Sequence, residues 1–362
     1  MKSFKASIIF FVLMSAVLVC TAQNAVSLKK VGQDNREPYK YKYWLPFLGK
    51  KAASRGFKLP LPHGVMINYM PLSQKVQISD MGVGINDFNI NNVQDIVSID
   101  GASVSGYTLN MRLDTWVLPF LNVYTLIGYN KSNIEVPLSL NADGALGGVL
   151  SGVYNDLENG TYTARSSSTG EYFGLGAMFA GGIGPMFFSW DINHTWTGTD
   201  KLDKPARILI TGIRTGPIIR IKNKENMNVV LWAGMMYSNL ASTTTGRISV
   251  NELFPNFNEG KEGALTKMET WYGNLSPRDK IKYAIPYGVV TKTVEGMDGN
   301  GEISYHMKKS IKRPFNLLLG AQWQINEIWQ LRMEQQMLGD RTATLLSLNY
   351  RFGLPFRGIK DN

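Results

Sequence analysis

Cysteine is almost absent from this sequence, since Cys20 is the only one. A single cysteine cannot form an internal disulfide, which argues against a small disulfide-stapled extracellular domain. Long apolar runs are also absent after residue 18, and a membrane-spanning helix needs about 20 such residues. If the protein lies in a membrane, we therefore expect it to cross as strands.

The first 22 residues have the features of a secretory signal peptide. Lys2 and Lys5 form a positive region, residues 6–18 form an apolar run, and Cys20-Thr21-Ala22 offers small residues for cleavage. The apolar run is too short to span a membrane. An exported chain that lacks disulfides is typical of the bacterial periplasm or outer membrane, and we predict a signal peptide over residues 1–22.

Acidic residues are scarce near the N-terminus of the mature chain. Residues 24–62 hold nine lysines and arginines against Asp34 and Glu37, so this segment carries most of the net charge of +10. A nucleic-acid-binding protein spreads basic residues over a folded face, so no nucleic-acid partner is expected. Because aromatic residues are interleaved with the charges, we predict a basic aromatic periplasmic arm over residues 23–62. It would dock on the inner leaflet of the membrane or plug the barrel described next.

The rest of the chain, from about residue 63 to residue 353, is dominated by alternation of apolar and polar residues. This period of two predicts about ten antiparallel strands, with eight or twelve as alternatives. Short turns near residues 118–119, 182, 222–226 and 326–327 alternate with mostly longer connections. That asymmetry is typical of an all-β, transmembrane, up-and-down β-barrel. The longest connection, residues 241–313, is predicted to be a partly helical extracellular loop, and residues 354–362 a C-terminal tail.

The last three strands of this predicted barrel indicate which face meets lipid. In residues 344–352, for example, Leu346, Leu348 and Tyr350 alternate with Ser347, Asn349 and Arg351. Alternation alone also fits a soluble barrel with an apolar core. The signal peptide, the absence of disulfides, the loop asymmetry and the aromatic residues beside turns favour lipid outside and a polar lumen. The parity then turns six charged residues inward, as a predicted lumen constriction: Arg112, Asp114, Asp191, Arg214, Arg332 and Glu334.

Aromatic residues beside the short turns are predicted to lie at the membrane interface. Trp323 and Trp329 flank the Asn326-Glu327 turn, and Trp116 and Phe120 flank Pro119. Outer-membrane barrels carry such aromatic girdles at both interfaces. The full set of predicted interface aromatics is Trp116, Phe120, Trp323, Trp329, Tyr350 and Phe352.

At this point the sequence resembles bacterial outer-membrane β-barrel proteins of the Bacteroidota. The resemblance rests on Thr21-Ala22-Gln23 at the end of the signal segment and on the closing strand TLLSLNYRFGL, residues 344–354. In such proteins an aromatic-ended last strand is read by the barrel-assembly machinery. The resemblance therefore implies an outer-membrane location, with outer-membrane lipids and that machinery as partners, and it indicates no substrate.

Three functions remain open from the sequence. The leading one is a small porin-like channel for small polar solutes, and the second is a closed barrel that acts through its loops in adhesion, structure or assembly. The third is a lipid hydrolase, in which Glu171 would lie opposite His194 and one of the serines 166–168 would be the nucleophile. Spacing fixes no nucleophile, so no catalytic residue is assigned, and no metal or cofactor is expected.

Overall fold

The computed structural model describes residues 39–85, 88–90, 97–99, 101–140, 162–224, 226–240, 242–253 and 256–355. The predicted signal peptide and most of the C-terminal tail lie outside these residues. The strands are β1 (His63–Ile85), β2 (Phe88–Ile90), β3 (Val97–Ile99), β4 (Ala102–Leu118), β5 (Leu121–Leu140), β6 (Tyr162–Ile183), β7 (Met186–Thr199), β8 (Ala206–Arg220), β9 (Asn228–Leu240), β10 (Ser242–Ser249), β11 (Glu302–Ser310), β12 (Phe315–Gln324), β13 (Trp329–Met337) and β14 (Arg341–Phe352). The helices are α1 (Gly49–Ala53), α2 (Val250–Leu253), α3 (Phe257–Gly273) and α4 (Pro277–Gly296).

Ten of these strands form a closed antiparallel barrel. Around the barrel they follow the order β1, β4, β5, β6, β7, β8, β9, β12, β13, β14, and β1 pairs with both β4 and β14 to close it. Closure leaves no unpaired edge in this ring, which is the condition for a sheet to stand in lipid. The predicted fold class and the count of ten barrel strands are confirmed.

The connections give the barrel two distinct ends. The short-turn end carries the turns β4–β5, β6–β7, β8–β9 and β12–β13, two of which consist of Pro119-Phe120 and Gly184-Pro185 alone. The opposite, long-loop end carries the connection from β9 to β12, residues 241–314. The predicted alternation of short and mostly longer connections is therefore confirmed.

The long connection is more ordered than the sequence indicates. The predicted helical segments are present as α3 and α4, and Ser276 caps α4 by accepting a hydrogen bond from the Asp279 amide. Two strands, β10 and β11, were not predicted. They pair with each other, and β11 pairs with the outer part of β1, residues 77–85, beyond the last residues that pair with β4 and β14. Alternation in β11 is weak because charged residues occupy both faces.

The two faces of the barrel wall differ in the way that the sequence predicts. Glu334 is fully buried, and Asn349 and Arg351 are nearly so, whereas apolar side chains on the other face are exposed. A soluble barrel with an apolar core is therefore excluded. Each of the ten strands exposes at least one large apolar side chain by 41–57%: Ile67, Leu109, Ile127, Leu175, Phe188, Ile213, Met235, Phe315, Leu331 and Leu348.

Residues 39–62 lie across the short-turn end. The Phe47 amide donates to the Val117 carbonyl at 2.8 Å, and the Trp116 amide donates to the Pro62 carbonyl at 2.9 Å. On the other side of the ring, Lys58 contacts Asn226 in the β8–β9 turn and Glu327 in the β12–β13 turn. The segment thus contacts turns on opposite sides of the barrel, where we expected a membrane surface or the lumen to receive it.

One tyrosine of this segment is packed rather than solvated. Tyr41 is only 5% exposed, and its hydroxyl donates to the Leu45 carbonyl at 2.7 Å. Burial, reinforced by Tyr39 and Tyr43, raises the pKa of the Tyr41 hydroxyl well above its usual range.

Among the described residues, no helix is both long enough and apolar enough to cross a membrane.

Candidate functional site

The barrel interior is the candidate site, because the six charged residues predicted to face the lumen all lie there. Asp114, Asp191 and Glu334 are buried, and the side chains of Arg112, Arg214 and Arg332 are 12–17% exposed. Their role as a constriction stays a prediction. The structure divides them into two groups, one around Glu334 and one around Asp114.

The first group surrounds Glu334 on β13. Both Glu334 oxygens accept hydrogen bonds from Arg214, at 2.5 and 3.0 Å, and Oε2 also accepts from Arg332 at 2.9 Å. The indole Nε1 of Trp232 donates to the same oxygen at 3.0 Å. Arg214 then reaches Asp191 on β7 with its remaining terminal nitrogen. One arginine thus links strands β7, β8 and β13 across the lumen.

The β7–β8 register explains why Asp191 and Arg214 meet. Ser189 lies opposite Arg214, so Asp191 is its diagonal neighbour. This register follows from a connecting loop centred between residues 201 and 202. Side chains at diagonal positions on one face are within reach of a long arginine.

The second group surrounds Asp114 on β4. Its Oδ1 accepts from Asn122 at 2.7 Å and from Arg351 at 3.2 Å, while Arg112 Nε lies 3.9 Å from its Oδ2. Arg112 also donates to Asn122 at 2.8 Å and stacks on the Tyr124 ring at 3.7 Å from its centroid. Asp114 thus pairs with two arginines, and this group carries one net positive charge inside the barrel.

These two groups fill the half of the lumen nearer the short-turn end. Each of the three carboxylates is paired with at least one arginine, and Glu334 and Asp114 are each shared by two. A buried charge is costly unless an opposite charge pairs with it, and pairing is present here although Arg112 Nε, Asp114 Oδ2 and Arg332 Nε have no hydrogen-bond partner. The predicted lumen charges therefore neutralise one another in place.

Sequence reasoning missed several members of these groups. Arg351 belongs to the polar face of β14 and could have been found by parity, since it alternates with Tyr350 and Phe352. Trp232 and Tyr124 look like ordinary apolar strand residues, and only the register brings them against Arg332 and Arg112. Arg341, which lies outside these two groups, opens β14 next to a turn and shares the odd parity of Ser347, Asn349 and Arg351.

The half of the lumen nearer the long-loop end contains a cavity of about 390 Å³. Its lining includes Arg112, Arg214, Arg332 and Glu334, so the cavity reaches the two charged groups. Lys201, Tyr305 and Lys309 line its outer part, and Tyr305 Oη donates to the Lys201 carbonyl at 2.9 Å. The barrel interior thus consists of a paired, filled half and an open half.

The long connection covers part of the rim of this cavity. Glu252 in α2 forms an ion pair with Lys201 and accepts a hydrogen bond from Ser166 at 2.5 Å. The Asp203 amide donates to the Thr245 carbonyl of β10 at 3.1 Å. The loop is therefore fastened to strands on the far side of the ring from β1.

One of the predicted interface aromatics lies on the wrong face. Trp116 is only 9% exposed. Residues 112, 114 and 116 lie on the same face of β4, so a strand that turns Asp114 inward also turns Trp116 inward. Its assignment to the outer surface is wrong. Phe120, Trp323, Trp329 and Tyr350 are 40–49% exposed, and Phe352 is half-buried and packs against Tyr350 at 6.0 Å. Their place at a membrane interface stays a prediction.

The hydrolase arrangement is not present. His194 faces outward and stacks on Trp196, with ring centroids 4.4 Å apart. Leu175, not Glu171, lies opposite it, because the β6–β7 turn falls at Gly184-Pro185 and shifts the register so that Glu171 faces Gly198. Ser168 is buried inside the barrel. No hydrogen bond joins His194 to a serine within the described part of the chain, so the geometry supports no nucleophile.

Within the described ranges, no group of three or more histidine, cysteine or acidic side chains is placed to hold a metal ion.

Comparisons with known proteins give structural likenesses only. No protein-family profile and no curated protein matches the chain. The β domain of the Bordetella autotransporter BrkA aligns at 11% identity and a TM-score of 0.36 over 80% of this chain and all of that one. The translocator domain of the autotransporter NalP from Neisseria meningitidis aligns at 10% and 0.34, covering 83% and 92% of the two chains.

The toluene transporter TodX from Pseudomonas putida aligns at 6% identity and a TM-score of 0.27, covering 90% of this chain and 96% of that one. Likenesses at this level carry no argument about what the barrel does. The fold of the present chain stands on its own strand pairing.

Proposed function

We propose that this protein is an outer-membrane β-barrel with a lumen closed at rest, and that it works through the cavity and loops at its long-loop end. The proposal of a membrane location rests on the belt of apolar side chains exposed on all ten strands. Soluble monomers rarely expose a contiguous apolar surface of that extent. Lipid covers such a surface without cost.

The orientation follows from the loops. Outer-membrane barrels carry short turns on the periplasmic side and long loops outside. In this orientation the cavity opens toward the cell exterior, and the basic arm lies in the periplasm. Outer-membrane lipids surround the belt, and the barrel-assembly machinery would read the last strand, which ends in Tyr350 and Phe352.

The observation that carries the closed lumen is the sharing of Glu334. Arg214 on β8, Arg332 on β13 and Trp232 on β9 all donate to it, and Arg214 extends to Asp191 on β7. Opening a path there would separate buried charges, which costs several kcal/mol per ion. A ten-stranded barrel is also near the size that side chains can fill.

A small porin-like channel for small polar solutes is the second candidate. It is favoured by the cavity, which reaches the ion-paired layer directly at Arg112, Arg214, Arg332 and Glu334. A path to the opposite end would need this layer to rearrange and residues 39–62, which lie across that end, to move.

The experiment that separates the two candidates is single-channel recording of the full-length protein in a planar lipid bilayer. The closed barrel predicts no steady conductance, and it predicts that Glu334→Gln, which leaves two arginines without their shared partner, produces openings. Glu135→Gln, at an exposed ion pair with Arg165, is the matched control and should stay silent. Steady, ion-selective conductance of the unaltered protein would contradict the closed lumen and establish the channel.

A further inference from the structure

The cavity in the long-loop half contains two cations that lack a carboxylate partner, one buried and one half-buried. Arg341 is 7% exposed; its Nε donates to Gln336 Oε1 at 3.1 Å and one terminal nitrogen contacts Met70 Sδ at 3.6 Å. Lys309 on β11 lines the same cavity. In the described part of the chain, neither forms an ion pair, in contrast with the arginines around Glu334.

The two cations lie on strands β14 and β11, opposite inward-facing residues of β1. Arg341 is opposite Gln74 and Lys309 is opposite Ile78, so their backbones are about 13 Å apart along the strand at roughly 3.3 Å per residue. Both are long side chains on the inner face, and both reach the cavity. They can therefore approach one small anionic group between them.

Part of the cavity wall is apolar. The apolar side chains lie on β1 and on the neighbouring strands β8 and β9: Leu72, Val76, Ile208, Ile210, Met236 and Leu240. Polar side chains such as Asn110, Ser132 and Thr197 line other strands, whereas the apolar part of the wall offers water few polar partners. A purely polar anion would satisfy the cations but would leave the apolar walls uncovered.

We propose that this cavity is a binding site for a small anionic amphiphile, whose carboxylate or phosphate head group binds between Arg341 and Lys309 while its alkyl chain covers the apolar walls. A buried, unpaired cation is costly, so a ligand anion that pairs with it gains more than it would at a solvated surface. The proposal rests on the proposed use of the long-loop cavity, but it does not depend on whether the lumen conducts.

The test is isothermal titration calorimetry of the full-length protein in lipid nanodiscs, with empty nanodiscs as the blank. The probes are octanoate, octyl phosphate, the uncharged octanol and the tail-less acetate. We expect octanoate or octyl phosphate to bind at least about ten-fold more tightly than octanol and acetate. The tighter of the two identifies the head group that the site prefers.

Two variants test the cations, and the chain offers a matched control. Lys309→Met and Arg341→Gln should each weaken binding of the anionic probe about ten-fold without changing binding of octanol. Lys308→Met removes the neighbouring lysine, which is 62% exposed and pairs with Asp80, and should leave binding within two-fold. Folding of each variant is checked by circular dichroism, and Lys309→Met alone decides the matter if Arg341→Gln fails to fold.

Several results would overturn the proposal. They are no heat above that of empty nanodiscs, equal affinity for octanol and octanoate, equal affinity for acetate and octanoate, or unchanged affinity in Lys309→Met. None of these results depends on conductance. Failure of this site and failure of the closed lumen are therefore distinguishable.

Discussion

The two halves of the barrel interior treat buried charge in opposite ways. Near the short-turn end each carboxylate is paired with at least one arginine, and Glu334 is shared by Arg214 and Arg332. Near the long-loop end Arg341 and Lys309 have no carboxylate among the described residues, and the space around them is open. The comparison suggests that ion pairs shared between strands close one half of the lumen. In the other half, cations without a carboxylate partner leave space for an anionic ligand.

The largest effect should come from removing the shared carboxylate. Glu334→Gln leaves Arg332 without a carboxylate and Arg214 with Asp191 alone, and breaking a buried ion pair in this way costs about 3–5 kcal/mol of unfolding free energy. Urea unfolding of the liposome-inserted protein, followed by tryptophan fluorescence, measures the loss. If Glu334→Gln is as stable as the exposed control Glu135→Gln, the filled half does not depend on this network.

The next effect concerns the close packing around that network. A Cβ atom at Gly320 would lie 2.3 Å from Cε2 and Cζ2 of the Trp232 indole, whose Nε1 donates to Glu334. Gly320→Ala must displace the ring, and we expect a loss of about 1–3 kcal/mol in the same unfolding measurement. Gly181→Ala, where a Cβ meets nothing within 4 Å, is the matched control and should be nearly neutral.

A smaller effect is expected at the contact between the arm and the filled half. Arg351 donates to the Leu61 carbonyl from Nε at 3.0 Å and from Nη2 at 2.8 Å, and a lysine keeps the charge but cannot make this fork. We therefore expect Arg351→Lys to lose one charge-assisted hydrogen bond, worth about 1.5–3 kcal/mol. This loss should speed trypsin cleavage at Arg55 and Lys58 roughly ten-fold or more.

Limited proteolysis followed by mass spectrometry measures this cleavage rate. Arg313→Lys, which alters an exposed arginine bonded to Asp340 at the opposite end, serves as its control. Equal cleavage rates in the two variants would mean that Arg351 does not fasten the arm.

The smallest effect belongs to the solvated loops. Arg247 and Glu302 form an ion pair at 3.3 Å with both side chains more than half exposed. Exposed pairs contribute about 0–1 kcal/mol, so Arg247→Ala should leave the unfolding free energy almost unchanged. A loss comparable with that of Glu334→Gln would erase the distinction between buried and exposed charge on which the comparison depends.

The barrel itself could be predicted from the sequence because its signal is local. Alternation in β12, β13 and β14 shows that each segment is a strand and which of its faces is apolar. A short turn such as Pro119-Phe120 then fixes the register between the two strands that it joins. The same parity places Asp114 and Arg332 inside. It also contradicts an outward Trp116, which shares the parity of Asp114.

The remainder depends on contacts between distant parts of the chain. The β6–β7 turn lies at Gly184-Pro185 and not near residue 182 as predicted. Leu175 therefore lies opposite His194 in place of the expected Glu171. The pairing of β11 with β1 joins segments more than 200 residues apart, and alternation gives no sign of it. The cavity likewise brings Lys309 from the long connection and Arg341 from β14 to one wall, which only the tertiary structure shows.

The central claim, a filled half and an open half, is tested most directly by two serine-to-cysteine variants in a Cys20→Ser background. Ser132 lines the cavity, whereas Ser347 is buried on the inner face of β14, opposite Arg332. An anionic methanethiosulfonate reagent is added to the full-length protein in lipid vesicles, and its reaction rate with each thiol is measured. The account predicts that Ser132→Cys reacts at least about ten-fold faster than Ser347→Cys. Equal rates would contradict it, because they would mean that water and ions reach both halves of the lumen alike.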